Sequence, residues 1–275
     1  MSSVHPATRH IRRFGPVERR LHLALMTSFL GLAATGLPLL FAEAPWASQL
    51  SGLFGGVAAA GVLHRIFAVV MLATFVVHVG RILYRLFVRH EALLWGPTSM
   101  VPQPRDVREF VQHVRWFLGL SSRPRFDHFT YWEKFDYWAV FWGMAIIGGS
   151  GFLLWFPEVF SRVLPGQVFN VALLVHGEEA LLAVGFIFTI HFFNGHFRPE
   201  KFPIDVVIFT GSVTEDELKH ERPGEYERLV EERNLDALTV PPPPPSRVLY
   251  GRIVGGTALS LGVLLFVLIL RAVVF

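Results

Sequence analysis

Two histidines, His176 and His191, lie near opposite ends of one long apolar stretch of the sequence, Val171 to Arg198. Fifteen positions separate them, which is roughly 22 Å along a helix. The hydrocarbon core of a bilayer is about 30 Å thick, so the two imidazoles would lie near its opposite faces. An ionisable side chain inside a membrane is costly and is usually there for a function. The spacing therefore predicts two metal centres stacked across a membrane.

The composition agrees with a membrane-embedded chain. Of 275 residues, 52% are hydrophobic and 14% are aromatic, and the apolar residues concentrate in five long runs. This predicts an all-α integral membrane protein. The absence of cysteine excludes disulfides, thiolate zinc sites, cysteine-held iron–sulfur clusters and c-type haem attachment. A net charge of only +3 gives no indication of nucleic-acid binding. The predicted spans are Leu21–Phe41, Gly61–Phe87, Phe135–Phe156, Val171–Arg198 and Val248–Phe275.

The connections between the runs differ in charge, which predicts their orientation. Residues 1–20, the connection 88–134 and the segment after the fourth run are basic or long, whereas the first and third connections are nearly free of Lys and Arg. Positive residues favour the inner side, so we expect the N-terminus inside and the C-terminus outside. The predicted regions are a basic N-terminus (1–20), a four-helix domain (21–198), a polar segment with a polyproline spacer (199–247) and a fifth helix (248–275).

Within the second connection, residues 105–120 place apolar side chains at helical spacing. This pattern predicts an amphipathic helix on the inner membrane surface. Its histidine, His113, is interpreted as a solvated or interfacial residue.

Histidines on three predicted helices sort into two depths. Helices two and four run in the same direction, which puts His64 and His176 near the outer face and His78 and His191 near the inner face. Helix one runs the other way, so His22 at its entrance is also at the inner depth. A six-coordinate haem iron needs two axial imidazoles from facing helices at the same depth. The sequence therefore predicts one haem held by His64 and His176, and another held by His191 with either His22 or His78.

Two other interpretations of the histidines agree less well with their positions. A metal or proton transporter would place its ionisable groups near mid-membrane, which these histidines avoid, and a purely structural anchor leaves their two layers unexplained. Arg20 and Arg65 adjoin His22 and His64 and are candidates to pair with haem propionates. Anchoring to lipid headgroups is the alternative for both arginines.

The runs contain four pieces of sequence in a fixed order: VERRLHLALMTSFLGLAATGLPLLF, VLHRIFAVVMLATFVVHVGRILY, EKFDYWAVFWGMAIIGGSGFLLWFPEVF and VALLVHGEEALLAVGFIFTIH. In this order they resemble the di-haem cytochrome b anchors of respiratory complexes, namely the gamma subunit of formate dehydrogenase and the b-type anchor of nickel–iron hydrogenase. The resemblance implies two haem b groups, with His22 and His191 on the inner one and His64 and His176 on the outer one. It implies an electron-transfer subunit of an oxidoreductase complex in the bacterial inner membrane, not a stand-alone enzyme.

The resemblance also implies a quinone site beside the inner haem, between the entrance of helix three and the exit of helix four. A quinone needs hydrogen-bond donors, an apolar slot and a proton route. The implied redox partner on the outer side is a multihaem c-type cytochrome or an iron–sulfur subunit. The candidate quinone residues are Tyr131, Glu133, Lys134, Asn194 and His196.

Three features depart from the family's pattern. The interval between His176 and His191 is one residue longer than in the formate dehydrogenase anchor, which would rotate the inner ligand by about 100°. His78 is an additional histidine, and the polyproline spacer and fifth helix have no counterpart in that subunit. These departures keep His78 open as the alternative to His22.

Overall fold

A computed structural model describes residues 8–274 of the chain. Residues 1–7 of the predicted basic N-terminus, and Phe275 of the predicted fifth helix, lie outside the described residues. Within the described range, five helices are long and apolar enough to cross a membrane, so the chain is an all-α membrane protein, as predicted. The spans, numbered one to five, are Pro16–Leu40, Val57–Phe87, Tyr131–Trp155, Gly166–Phe197 and Pro245–Val274.

Spans three and four are not regular α-helices. A π-helical turn occupies Met144–Gly148 in span three, and two more occupy Ile187–His191 and Phe193–Phe197 in span four. A π turn closes hydrogen bonds from residue i to residue i+5, so it takes up one residue more than an α turn. Such turns are rare and are frequently found at functional sites.

The chain divides into two compact units. The first, here called the span unit, comprises Arg20–Val79, Ala139–Asp205 and Gly251–Phe275. The second, here called the connecting unit, comprises Gly80–Trp138, Val206–Tyr250 and the described residues up to Arg19.

Spans one, four and five share the apolar core of the span unit. Leu37 of span one, Phe188 of span four and Leu265 of span five are among its buried side chains. Span five approaches span four closely because Gly262 has no side chain: a Cβ there would come within 2.5 Å of the Phe192 ring. The fifth helix is therefore an integral part of this core.

The first four spans contact one another in a ring within the span unit. Spans one and two meet where a Cβ on Gly31 would come within 2.6 Å of the Phe67 ring. The remaining contacts are Phe75 with Phe141 between spans two and three (5.1 Å between ring centres), Trp142 Nε1 to Glu179 between spans three and four (3.1 Å), and Phe29 with Phe188 between spans one and four (6.1 Å between ring centres).

In the connecting unit, a three-stranded antiparallel sheet joins distant parts of the chain. Strand β1 (His10–Arg12) pairs with both β2 (Ser212–Thr214) and β3 (Thr239–Val240). Ile11 and Val213 lie in a small apolar cluster behind it. The sequence predicts only a polar segment over 199–247, because strands as short as β2 and β3 show no periodic pattern. The shorter helices of the chain are Pro45–Leu53, Pro104–Phe117, Pro157–Phe160, Val207–Thr210, Glu215–Glu221 and Pro223–Glu231, with a 3₁₀ turn at Asp236–Leu238.

The helix Pro104–Phe117, here called the surface helix, corresponds to the predicted amphipathic segment 105–120 but ends three residues earlier. Gly119 follows in a left-handed conformation (φ +71°), and the amide of Leu120 donates to the carbonyl of Arg115. This arrangement closes a helix C-terminus and needs a residue that tolerates positive φ. The glycine therefore sets the end of the helix.

A buried ionic network links the three segments of the connecting unit. Arg13, whose side chain is 4% exposed, donates to the carboxylate of Glu225 (3.2 Å) and to the backbone carbonyl of His128. His128 and Glu225 are also hydrogen-bonded to each other. Arg222 donates to Glu133 at 2.8 Å. Each charge in the network has an opposite partner, which a buried charge requires.

The variant Arg13→Met should destabilise the connecting unit by about 3 to 5 kcal/mol, because it leaves buried carboxylates without their cation. The matched control is Arg9→Met, whose ion pair with Asp236 is exposed and should contribute only about 0 to 1 kcal/mol. Thermolysin cleavage of residues 206–250 in the purified protein measures the difference. Equal cleavage of the two variants would contradict a stabilising role for the network.

The same network predicts that the connecting unit loses stability in acid. Burial and the charge of Arg13 lower the pKa of His128 below its ordinary value of 6.5. Burial alone would raise the pKa of Glu225, but the hydrogen bond from His128 and the charge of Arg13 hold it below its ordinary value of 4.5. Both groups bind protons more weakly when folded, so their stabilisation is present above the unfolded pKa values and is lost as the pH falls through the folded ones. Amide exchange in Pro223–Glu231 should accelerate, beyond its intrinsic pH dependence, as the pH falls from about 7 towards 4. Protection that stays constant over this range would disprove the linkage.

Candidate functional site

His64 of span two and His176 of span four face each other in the span unit. Their ring centres are 6.3 Å apart and the ring planes are inclined at 71°. Two imidazole nitrogens that each bind one metal ion at about 2 Å leave their ring centres about 6 Å apart. The rings therefore stand at the separation that a shared metal ion requires. This is the pair that the sequence analysis assigned to the outer haem.

Hydrogen bonds to Nδ1 orient both rings. Nδ1 of His176 lies 3.0 Å from the carbonyl oxygen of Ile147, within the π turn of span three. Because a carbonyl can only accept, this Nδ1 carries the proton and Nε2 keeps its lone pair. Nδ1 of His64 lies 3.0 Å from the hydroxyl of Thr35, which donates its own proton to the carbonyl of Gly31 and must therefore accept. In both rings Nε2 is the atom left to bind a metal, as is usual for metal-ligating histidines.

Two glycines give these imidazoles their space. A Cβ on Gly36 would come within 3.0 Å of the His64 ring, and one on Gly151 within 2.9 Å of the His176 ring. Each ring thus lies directly against the backbone of a neighbouring span. A larger residue at either glycine would displace the ring it contacts.

The inner candidates His22 and His191 also lie near each other. His22 is close enough to His191 and His196 to interact with them electrostatically. Its Nδ1 atom is buried and has no hydrogen-bond partner, which is uncommon for a buried polar atom. A group bound at this ring would account for it. His78, the alternative, packs edge-on against Phe141 with ring centres 6.2 Å apart.

The π turn Ile187–His191 bears on the long interval between the two histidines of span four. It lies between His176 and His191 and ends on His191 itself. Because a π turn takes up one residue more than an α turn, the additional residue need not rotate His191 by about 100°, as the sequence analysis expected.

The candidate propionate partners lie at the surface of the span unit. Arg20 and Arg65 are both exposed. The guanidinium of Arg65 lies 5.8 Å from the centre of the Trp155 ring. Both positions are compatible with binding an anionic group.

The candidate quinone residues fall into both units. In the connecting unit, Lys134 is 1% exposed and its ammonium contacts both carboxylate oxygens of Asp106 at 2.8 Å. Glu133 accepts from the hydroxyl of Thr130 and from Arg222, each at 2.8 Å. Because these charges are committed to buried or half-buried partners, Lys134 and Glu133 are better explained as structural residues than as the quinone contacts predicted above.

The other three candidate quinone residues are not held in ion pairs of this kind. The hydroxyl of Tyr131 lies 3.0 Å from Nδ1 of His113 in the connecting unit. In the span unit, Nδ1 of His196 accepts from the amide of Asp205 at 3.2 Å, and the carbonyl of Asn194 accepts from Arg198 at 2.9 Å. The contact between Tyr131 and His113 could not be predicted from the sequence, because the two residues lie on different helices that are separated by a loop.

No group of three His, Cys, Asp or Glu side chains that could hold a metal ion occurs within residues 8–274. A haem iron takes only two protein ligands, because the porphyrin supplies the others. Paired imidazoles are therefore the donor set that fits a haem.

Removal of the Thr35 hydroxyl should change the redox potential of the outer centre without losing it. The isosteric variant Thr35→Val deletes the acceptor for His64 Nδ1, a hydrogen bond of about 1 kcal/mol, which corresponds to a shift of about 40 mV for one electron. The matched control is Thr74→Val, whose hydroxyl bonds only to the carbonyl of Val70. A spectroelectrochemical titration measures both. An unchanged potential in Thr35→Val would show that the hydroxyl has no influence on the ligand.

No protein-family model matches the chain. The chain is 25% identical over 174 residues to the cytochrome b556(fdo) subunit of formate dehydrogenase from Escherichia coli strain K12, covering 63% of this chain and 74% of that subunit. The same subunit of E. coli O6:H1 strain CFT073 and of E. coli O157:H7 matches to the same extent. The resemblance of this chain to the membrane b-type cytochrome subunits of respiratory oxidoreductases is thereby confirmed.

Proposed function

We propose that this chain is the membrane cytochrome b subunit of a respiratory oxidoreductase complex, that it holds two haem b groups, and that it passes electrons between the quinone pool and a redox partner on the outer side. The observation that carries the proposal is the pair His64 and His176. Their ring centres are 6.3 Å apart, and each Nδ1 is engaged so that Nε2 is available.

The proposed inner ligands are His22 and His191. His22 is favoured over His78 because it lies close to His191 and has a buried nitrogen without a hydrogen-bond partner. Arg20 and Arg65 are proposed to pair with propionates of the inner and outer groups. An arginine is suited to this because its guanidinium binds a carboxylate through two hydrogen bonds.

A haem held by two imidazoles supplies one-electron transfer between its ferric and ferrous states. The protein keeps its ligands in place: Thr35 and the carbonyl of Ile147 fix the two outer rings, and Gly36 and Gly151 hold them against the neighbouring spans. Ligand rings that are held rigidly move little when the charge of the centre changes, and this small rearrangement favours electron transfer.

Quinone exchange is proposed at the inner side. Tyr131 in the connecting unit, and Asn194 and His196 in the span unit, are each a separate candidate to hydrogen-bond a quinone oxygen. The redox partner, a multihaem c-type cytochrome or an iron–sulfur subunit, is proposed to dock on the outer side, next to residues 42–60 and 157–170. The proposed orientation places the N-terminus in the cytoplasm and the C-terminus outside, in the bacterial inner membrane.

The test is a visible spectrum of the purified protein, dithionite-reduced minus oxidised, together with a pyridine haemochrome assay. We expect the bands of a b-type cytochrome and two haem groups per chain. A colourless preparation that cannot be reconstituted with haem would reject the proposal and favour the histidine-lined transporter. Three haem groups per chain would mean that His22 and His78 are both ligands.

A further inference from the structure

His113 of the surface helix, predicted to be a solvated or interfacial residue, is half-buried among aromatic rings. Its ring stacks on Phe117 (4.6 Å between centres, 25°) and on Trp116 (5.4 Å, 27°). Trp132 lies at 5.5 Å, and the edge of Phe126 also lies at 5.5 Å. In an aromatic environment a hydrogen bond is electrostatically stronger than in water. Glu109, on the same helix, is a further titratable neighbour of this site: it interacts electrostatically with Tyr131, and burial raises its pKa to about 7.

One of these hydrogen bonds joins His113 to the first residue of span three. Nδ1 of His113 lies 3.0 Å from the hydroxyl oxygen of Tyr131. A tyrosine hydroxyl can donate to the imidazole while its oxygen accepts from a third group. The pair can therefore pass a proton between an outside oxygen and the imidazole.

An exposed aromatic surface adjoins this pair. Phe110, whose ring meets Tyr131 edge-on at 5.4 Å, is 50% exposed, and Phe117 is 70% exposed. An apolar aromatic surface beside one hydrogen-bonding group has the composition of a site for a flat apolar ring. A quinone is such a ring, with an oxygen that must gain or lose a proton during its reaction.

We propose that Tyr131 and His113 form the proton relay of quinone exchange, with the Tyr131 hydroxyl at a quinone oxygen and His113 as the group behind it. This inference rests on the proposed function. Complete oxidation of a quinol releases two electrons and two protons, and the relay carries the protons one at a time. A quinol O–H bond breaks as its proton moves to the Tyr131 oxygen, and the Tyr131 proton moves to Nδ1 of His113. The imidazolium then releases a proton to water, while the electrons leave by the one-electron centres of the cytochrome.

The experiment follows reduction of the purified full-length cytochrome by duroquinol and by menadiol in a stopped-flow spectrometer from pH 5.5 to 8.5. Dithionite reduction of the same samples reports whether the cofactors are intact. Tyr131→Phe should lower the quinol rate by about 100-fold, the scale of general acid–base catalysis, with no change in the dithionite spectrum. His113→Gln should lower the rate and remove the part of its pH profile that persists in Glu109→Gln, the variant that lacks the other titratable neighbour of Tyr131. The matched control Val107→Ala shortens an exposed side chain of the same helix, outside both the aromatic surface and the hydrogen bond, and should leave the rate within about 3-fold of the wild type.

The outcomes separate the relay from the function on which it rests. If quinols reduce the wild type, Tyr131→Phe and His113→Gln at equal rates, the relay is wrong and quinone exchange stands. If neither quinol reduces a wild type that dithionite does reduce, quinone exchange fails and the relay with it. Rates lowered equally in Val107→Ala and His113→Gln would show a general effect of changing this helix, and would overturn the relay. Should His113→Gln lose cofactor, Tyr131→Phe and the solvent isotope effect of the wild type, expected to be above about 2 for rate-limiting proton transfer, decide the matter.

Discussion

Replacement of His176 by alanine is expected to remove one of two haem groups and to leave the other in place. His176 and His64 are the proposed axial ligands of one centre, with ring centres 6.3 Å apart. A haem iron that lost one of two axial imidazoles would no longer be six-coordinate and low-spin, and the group would be held by a single ligand bond and its contacts with the protein. The pyridine haemochrome value should fall from two to about one per chain, and the reduced-minus-oxidised band should lose about half its height.

The partner variant supplies the control for this result. Because His64 and His176 serve the same centre, His64→Ala should cause the same loss, and the double variant should lose no more than either single one. His220→Ala, in the connecting unit, should keep the full complement. Two groups retained in His176→Ala would reject the outer pair, and additive losses would mean that the two histidines serve different centres.

The second large effect concerns the inner centre. We expect His22→Ala to abolish the inner haem, whereas His78→Ala should retain both groups. The reason is proximity: His22 interacts with His191, while His78 packs against Phe141. Low-temperature difference spectra and electron paramagnetic resonance distinguish which centre is lost. The opposite pattern, with loss in His78→Ala and retention in His22→Ala, would transfer the ligand role to His78.

A test of the helix geometry accompanies this prediction. Deletion of Thr189, inside the π turn Ile187–His191, should return the segment to a regular α turn and keep His191 facing the same side. Deletion of Ala183, in the α-helical part of the same span, rotates His191 by about 100° and should lose the inner haem. Equal losses in both deletions would show that the π turn does not absorb the additional residue.

Much of the architecture was predictable from local sequence. The five spans follow from long apolar runs, because a helix that crosses a bilayer must be apolar along about 20 residues. The resemblance to membrane cytochrome b subunits was likewise readable from four ordered pieces of sequence, and the comparison with E. coli subunits confirms it. The candidate ligands could be sorted by depth because each residue advances a helix by a fixed rise.

Apart from the surface helix, the structure of the connecting unit could not be predicted from the sequence. Strand β1 has only three residues and pairs with strands about 200 positions further along the chain. Arg13 likewise hydrogen-bonds to residues far along the chain, His128 and Glu225. Neither a strand this short nor a single arginine gives a periodic signal, so only the folded chain reveals the partners.

The roles of single polar residues were also decided by tertiary structure. The sequence predicted Lys134 as a quinone contact, yet its ammonium is buried against Asp106. His113, predicted to be solvated or interfacial, is half-buried and lies within hydrogen-bond distance of the Tyr131 hydroxyl. The sequence by itself determined which segments are long and apolar enough to cross a membrane and how far along its segment each histidine lies, because apolar length and helical rise are local properties. Which imidazoles face each other, which nitrogen of each ring is available and which charges are already paired depend on helix rotation and on contacts between distant segments, and these exist only after the helices have packed.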